Sequence, residues 1–152
     1  MYDSRPYAIS KVLSMNDTGE TGGHQAGILV PKCGEILHFF PDLGNEEKNP
    51  RTALYFVDES GKSWKFNFIY YNNRFFDENG TRNEYRLTGM TKYFRENNLK
   101  AGDTIILIHL PDGTDEIRYK RETTLVLRES VTPYGTTRKR LVIGSDWKVI
   151  DY

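Results

Sequence analysis

The sequence consists of short strand-like segments, each bounded by a turn signal. Four of the clearest are residues 7–13, 53–57, 63–71 and 104–110, and the turn Asp58-Glu59-Ser60-Gly61-Lys62 joins the second to the third. A glycine-containing turn between two such runs predicts a β-hairpin. Many short strands with turns between them favour a mainly β fold whose sheet closes, or nearly closes, into a barrel.

The remaining segments complete this picture. Two brief helices are predicted, one within residues 34–40 and an amphipathic one at 91–98, where Tyr93, Phe94 and Leu99 face inward. Residues 14–25 are predicted to form a long polar loop, and residues 45–51 are expected to be among the least structured. Further strands are predicted at residues 28–31, 123–127, 141–143 and 147–150.

Composition limits the possible classes. The 152 residues predict a single domain, 1–152, in which 28% charged and 13% aromatic residues are typical of a folded globular protein. Lys and Arg balance Asp and Glu at 21 each, which disfavours a non-specific nucleic-acid coat. No apolar run is long enough for a membrane span. The lone Cys33 suits a reducing cytoplasm and is expected to be a small buried hydrophobe.

Catalytic patterns are weak. Asp42 with Glu46 and Lys48 superficially resembles a metal-dependent nuclease site, but these residues are separated by only a few loop positions. The three histidines are far apart and show no zinc-site spacing, and His109, in an apolar strand, is predicted to be a core or edge histidine. The sequence therefore predicts no catalytic site and no cofactor.

The run from Asn79 to Arg86 carries chemistry suited to DNA bases. Arg82 and Arg86 can each donate a fork of hydrogen bonds to guanine, Asn83 matches the adenine edge, and Glu84 can accept from cytosine. Two interpretations stay open at this point: a loop that reads base edges, and a solvated hairpin tip whose charges pair with one another.

A second polar loop offers similar groups. His24 and Gln25 end the loop 14–25, and two loops projecting from one end of a barrel could together occupy a major groove, about 12 Å wide in B-form DNA. Cations near these loops in sequence could neutralise phosphates without reading sequence; they are Lys11, Lys32, Arg74 and Lys92.

Three stretches carry a resemblance to a known family. Residues 13–27, residues 70–76 and the run Thr81-Arg82-Asn83-Glu84-Tyr85-Arg86 closely resemble the N-terminal effector-DNA-binding domain of EcoRII-type restriction endonucleases. That domain belongs to the plant B3-like pseudobarrel group. Residues 93–103 also resemble the helix and the Leu-x-x-Gly-Asp turn of this group. The resemblance covers roughly residues 7 to 110, and residues 111–152 are not matched.

The resemblance implies a seven-stranded pseudobarrel with two short helices and two arms, residues 14–29 and 74–86, that grip the major groove of double-stranded DNA. It implies a CCWGG-like target, where W is A or T. Tyr85 stands where the family carries a basic residue, and Leu29 where it carries an aromatic one. The family's DNA-reading positions match Lys11, His24, Arg82, Glu84 and Arg86, and the expected DNA-binding residues further include Gln25, Arg74, Asn83 and Tyr85.

The same resemblance implies that cleavage belongs to a separate nuclease domain of a bacterial restriction-modification enzyme. This chain is then the recognition part, not itself an enzyme, and Mg²⁺ would serve only the nuclease domain. Two alternatives stay open: a small metal-dependent nuclease using Asp42, Glu46 and Lys48, and a β-barrel that binds a carbohydrate or a protein through the aromatic strand 66–76.

Overall fold

Eight strands and three short α-helices make up the described part of the chain. The computed structural model describes residues 7–20, 27–122 and 146–151. In chain order the elements are β1 (Ala8–Val12), α1 (Met15–Thr18), β2 (Gly27–Val30), α2 (Glu35–Phe39), β3 (Arg51–Val57), β4 (Ser63–Tyr71), a 3-10 turn (Asn73–Phe75), β5 (Glu84–Thr88), α3 (Thr91–Glu96), β6 (Thr104–His109), β7 (Asp115–Lys120) and β8 (Trp147–Ile150).

The strands form one sheet in the order β2-β5-β4-β3-β7-β6-β1-β8. Neighbouring strands are antiparallel except β3 and β7, which pair in parallel at Val57 and Glu116. The two edge strands approach each other, since the indole N–H of Trp147 in β8 donates to the carbonyl of Leu29 in β2 at 3.0 Å. A single sheet with bridged edges is a pseudobarrel, so the predicted fold class is confirmed.

The element counts differ from the expectation. The described residues contain eight strands where seven were expected, and three α-helices where two were expected. The extra helix, α1, lies within the predicted loop 14–25, and β5 begins inside the run predicted as a loop. The predicted helices at 34–40 and 91–98 are confirmed as α2 and α3. The strands predicted at 123–127 and 141–143 lie outside the described residues.

Aromatic side chains fill the interior. Phe56, Phe66 and Phe68 are fully buried, and Tyr93 of α3 packs edge-on against Trp64 with ring centroids 5.1 Å apart. Burying a large apolar side chain contributes about 1.5–3 kcal/mol, so this cluster holds α3 against the sheet. No helix in the described ranges is both long and apolar enough to cross a bilayer.

Two single-residue expectations have opposite outcomes. Cys33 is exposed, so the expectation of a small buried hydrophobe is wrong; it lies in the bend between β2 and α2. His109 stacks on Phe39 at 3.7 Å, and its Nδ1 and Nε2 lie 2.6 Å from Asp115 Oδ1 and 2.8 Å from the Phe39 carbonyl oxygen. The prediction of a structural histidine is therefore confirmed.

Candidate nucleic-acid interface

The C-terminal arm, residues 74–86, is a folded turn that leads into strand β5. Asn73 Oδ1 accepts the backbone N–H of Arg82 at 2.9 Å, and the N–H of Arg74 donates to the Arg82 carbonyl at 3.1 Å. A Cβ at Gly80 would lie 2.1 Å from the carbonyl oxygen of Asn73, closer than any two such atoms can pack. The glycine therefore allows the turn to close on Asn73 and fixes where Arg82 leaves it.

Glu84 joins the two arginines of this arm. Its Oε2 accepts from Arg82 Nη2 at 2.8 Å and from Arg86 Nε. Burial raises the pKa of Glu84, but the hydrogen bonds and charges of the two guanidinium groups outweigh it, and that pKa lies below its ordinary value. The carboxylate is therefore ionised at neutral pH, and the three side chains form one ion triplet.

The expectation of a loop through Arg86 is wrong, because Glu84, Tyr85 and Arg86 begin β5. Successive strand side chains point to opposite faces, which separates Glu84 and Arg86 from Tyr85. Tyr85 stacks on Tyr70 at 4.2 Å and packs against the core. Burial, followed by the charges of Tyr70 and Asp42, raises its pKa. Tyr85 thus lies on the face opposite to the ion triplet.

The other predicted residues of this arm have distinct environments. The Arg82 guanidinium lies over the ring of Tyr71 at 3.7 Å, a cation–π contact that limits its orientation. Asn83 Oδ1 accepts from the Tyr70 hydroxyl at 2.8 Å. Arg74 is exposed and has no ion-pair partner within the described ranges.

The N-terminal arm, residues 14–29, starts with a capped turn of helix. Ser14 Oγ accepts the N–H of Asp17 at 3.0 Å, and Asp17 Oδ2 accepts the N–H of Ser14 at 2.9 Å, a reciprocal capping box. The same Asp17 oxygen lies 2.9 Å from Lys11 Nζ, and Asp146 Oδ2 lies 3.6 Å from it. The Lys11 ammonium thus lies between two carboxylates, and Lys11 is largely buried. His24 and Gln25 lie outside the described residues.

A concavity of about 600 Å³ brings parts of the two arms together. Lys11 and Asp17, from β1 and α1, and Glu84 and Arg86, from β5, all line it. Its lining contains both cations and carboxylates, so it presents both donors and acceptors. The sequence interpretation missed Asp17 and Asn16, which also line it; the Ser-x-x-Asp pattern of a capping box was the signal available for Asp17. The full lining is Lys11, Ser14, Asn16, Asp17, Leu29, Val30, Pro31, Lys32, Glu84, Arg86, Asp146 and Trp147.

The residues of the nuclease alternative do not come together in this way. Lys48 Nζ pairs with Asp77 Oδ2 at 2.6 Å, and Asp42 Oδ1 accepts the N–H of Gly44 at 2.9 Å. Among the residues that the structure describes, no group of three or more His, Cys, Asp or Glu side chains could hold a metal ion.

The aromatic strand of the third alternative is mostly interior. Phe66 and Phe68 are fully buried, whereas Phe75 and Phe76 near the start of the C-terminal arm are exposed. The buried rings cannot contact a ligand without opening the core.

The single curled sheet, its short helices and its two arms define a B3-like pseudobarrel domain. The sequence model of "Restriction endonuclease EcoRII, N-terminal" matches residues 3–116. The chain belongs to this family of restriction-endonuclease N-terminal domains.

Individual relatives agree with this assignment. The chain is 41% identical over 81 residues to the type II restriction enzyme EcoRII of Escherichia coli, an alignment covering 51% of the chain and 19% of the enzyme. It is 27% identical over 127 residues to the B3 domain-containing transcription factor NGA4 of Arabidopsis thaliana, covering 82% of the chain and 33% of that factor. The chain thus spans a third or less of either relative.

A solved structure shows the same fold. The Arabidopsis FUS3-DNA complex superposes with a TM-score of 0.56 at 19% sequence identity, covering 75% of this chain and 96% of the other. At this identity the superposition supports the fold of the chain.

Proposed function

We propose that this chain is a sequence-specific double-stranded DNA-binding domain, the effector or target-recognition part of a type II restriction endonuclease. Its two arms would enter the major groove of a CCWGG-like site. The observation that carries this proposal is the concavity between the arms, whose lining includes Lys11, Glu84 and Arg86. The chain's membership of the EcoRII N-terminal family and the DNA named in the FUS3 complex support the same conclusion.

The ion triplet is compatible with reading bases. Glu84 accepts one hydrogen bond from the Nε–H of Arg86 and one from Nη2 of Arg82. A guanidinium carries five N–H donors, so the terminal amino groups of Arg86 remain for the O6 and N7 acceptors of a guanine. The second oxygen of Glu84 remains for the amino group of a cytosine. Self-pairing therefore orients these side chains before DNA arrives, which lowers the entropic cost of binding.

We propose that the remaining predicted residues contribute to DNA binding around the ion triplet. Arg74, exposed at the start of the C-terminal arm, would contact a phosphate, and Arg82 would reach a base from its position over Tyr71. Asn83 is held by Tyr70, and Tyr85 supports the strand from its inner face; contact of these two with DNA stays a prediction. His24 and Gln25 stay predicted contacts of the N-terminal arm.

The proposed domain needs no cofactor to bind DNA and is not itself an enzyme. Cleavage would belong to a fused or associated nuclease domain that uses Mg²⁺. A bacterial restriction-modification enzyme acts on DNA in the cytoplasm, which is the compartment we propose.

Selection from a random duplex library, followed by sequencing of the retained DNA, tests the proposal. We expect a short G/C-rich consensus, retained in a mobility-shift titration and weakened in a scrambled duplex of the same length. Affinity should fall with rising salt concentration, because bound phosphates release counterions. Recovery of no consensus, or salt-independent binding, would refute the proposal. Incubation with plasmid and Mg²⁺ separates the nuclease alternative, and we expect no cleavage.

A further inference from the structure

Strand β8 contributes to the concavity although it lies outside the residues that define the family. The family match ends at residue 116, whereas β8 is Trp147–Ile150. We infer that Trp147 is a positioning residue for DNA recognition: it fixes the N-terminal arm by holding β2 through the Leu29 carbonyl. This inference rests on the proposed function and extends the recognition site to a second part of the chain.

The first support is the hydrogen bond across the two edges of the sheet. β2 pairs with β5 along one side only, with Leu29 opposite Arg86. The carbonyl of Leu29 accepts instead from Trp147 Nε1, 3.0 Å away. Indole has a single N–H donor, and in Trp147 that donor points at the Leu29 carbonyl. It sets the spacing between β8 and the strand by which the N-terminal arm returns to the barrel.

The second support is that Trp147 is itself held firmly. Its side chain is buried, and its ring lies edge-on to Phe40 with centroids 6.2 Å apart. In the antiparallel pairing of β8 with β1, Trp147 lies directly opposite Lys11. A rotation of the indole would therefore disturb both the core and the lining of the concavity, so the Leu29 contact has a rigid base.

The third support is the position of Leu29 relative to the arginine of the other arm. Leu29 and Arg86 are register partners on β2 and β5, and both line the concavity together with Trp147. Displacing β2 would shift this surface relative to Lys11. Because base readout requires donors and acceptors at fixed positions, whereas contacts to phosphates tolerate displacement, loss of the Trp147 bond should reduce specificity more than general affinity.

The chain provides a matched control. Its second tryptophan, Trp64, is equally buried and also donates its indole N–H, in this case to Asp58 Oδ2 at 2.9 Å in the β3–β4 turn. Trp147→Phe and Trp64→Phe both keep an aromatic ring and remove one partly buried hydrogen bond. They differ in whether that bond lies at the concavity.

The experiment measures binding of the full 152-residue chain and both variants to the selected duplex and to a scrambled duplex over a salt series. The specificity ratio is the affinity for the selected duplex divided by the affinity for the scrambled duplex. We expect Trp147→Phe to lower this ratio about threefold to tenfold, the effect of one hydrogen bond, and to leave the salt dependence of binding unchanged. Trp64→Phe should leave the ratio unaltered. Equal ratios for both variants and the wild type would overturn the inference while leaving the proposed function intact. If the wild type binds the selected and the scrambled duplex equally well, both the inference and the proposed function are wrong.

A second measurement uses the wild type, so it does not depend on whether Trp147→Phe folds. The two indole N–H signals in an NMR spectrum can be assigned from Trp64→Phe, which loses one. We expect the Trp147 signal to shift on addition of the selected duplex and the Trp64 signal to stay in place. If the Trp147 signal does not respond to saturating specific DNA, the inference is wrong.

Discussion

Asn49 and Asn72 exchange hydrogen bonds at the foot of the C-terminal arm. Asn72 Oδ1 accepts the backbone N–H of Asn49 at 2.7 Å, and Asn49 Oδ1 accepts the backbone N–H of Asn72 at 3.0 Å. The side-chain amide of Asn72 also donates to the Glu47 carbonyl at 2.9 Å. Asn72 is fully buried, so these bonds tie the segment before β3 to the point where the arm leaves β4.

Replacing Asn72 should therefore destabilise the fold. Asn72→Ala leaves the N–H of half-buried Asn49 without its partner, which costs about 1–3 kcal/mol, whereas the carbonyl of exposed Glu47 can bond to water. We expect the free energy of unfolding, measured by urea denaturation, to fall by about 1–3 kcal/mol. Asn79→Ala, an exposed amide in the same arm, is the control and should change it little. Equal stability of the two variants would show that the Asn72 bonds are not important.

Arg86 and Arg82 should determine affinity for the specific site. Arg86→Ala or Arg82→Ala removes donors to a base edge, and each is expected to weaken binding to the selected duplex by about 1–3 kcal/mol with relaxed specificity. Lys120→Ala, which removes an exposed cation from β7, is the control. Mobility-shift titrations measure all three variants. Unchanged affinity for both arginine variants would contradict base readout by this arm.

Sequence patterns predicted the parts of this fold that depend on local order. The hairpin around residues 58–62 and the inward-facing residues of α3 follow from turn residues and periodicity. The sequence pattern predicts a loop where strand β5 lies, because its two inward residues, Tyr85 and Leu87, alternate with polar ones over only five positions. Such a short alternation is also typical of a polar loop.

The geometry of the candidate site depends on contacts between distant residues, which periodicity does not encode. Lys11 meets Asp146 only because β1 pairs with β8, and Asn49 meets Asn72 only because β3 pairs with β4. The sequence resemblance named Lys11, Glu84 and Arg86 as site residues. It could not indicate that Glu84 would bridge two arginines, or that strand β8 would line the same concavity.

Glu84 should contribute to specificity more than to general affinity. Glu84→Ala removes the acceptor proposed for a cytosine amino group and also frees Arg82 and Arg86 from their shared partner. The variant gains one unit of positive charge at the interface, so binding to random DNA should not weaken. We expect the specificity ratio from competition titrations to fall. An equal loss of affinity for specific and random duplexes would instead indicate a structural role for Glu84.

Asp58 should make the stability of the domain sensitive to acid. Its carboxylate accepts from the N–H and hydroxyl of Ser60, from the N–H of Lys62 and from Trp64 Nε1. Burial raises the pKa of Asp58, but these hydrogen bonds outweigh it and lower that pKa from 3.8 to about 2. The bonds form with the ionised carboxylate in the folded state, so protonation weakens them.

The sign of the effect follows from linkage. Because the folded-state pKa is depressed, the contribution of Asp58 is fully present above pH 3.8 and is lost as pH falls towards 2. The shift corresponds to about 2 kcal/mol, which solvent screening at this turn reduces to about 1 kcal/mol. Urea denaturation of the wild type and of Asp58→Asn between pH 5 and pH 2 measures it. We expect the stability difference between the two proteins to shrink by that amount on acidification, whereas a difference that stays constant over this range would show that Asp58 is not the titrating group.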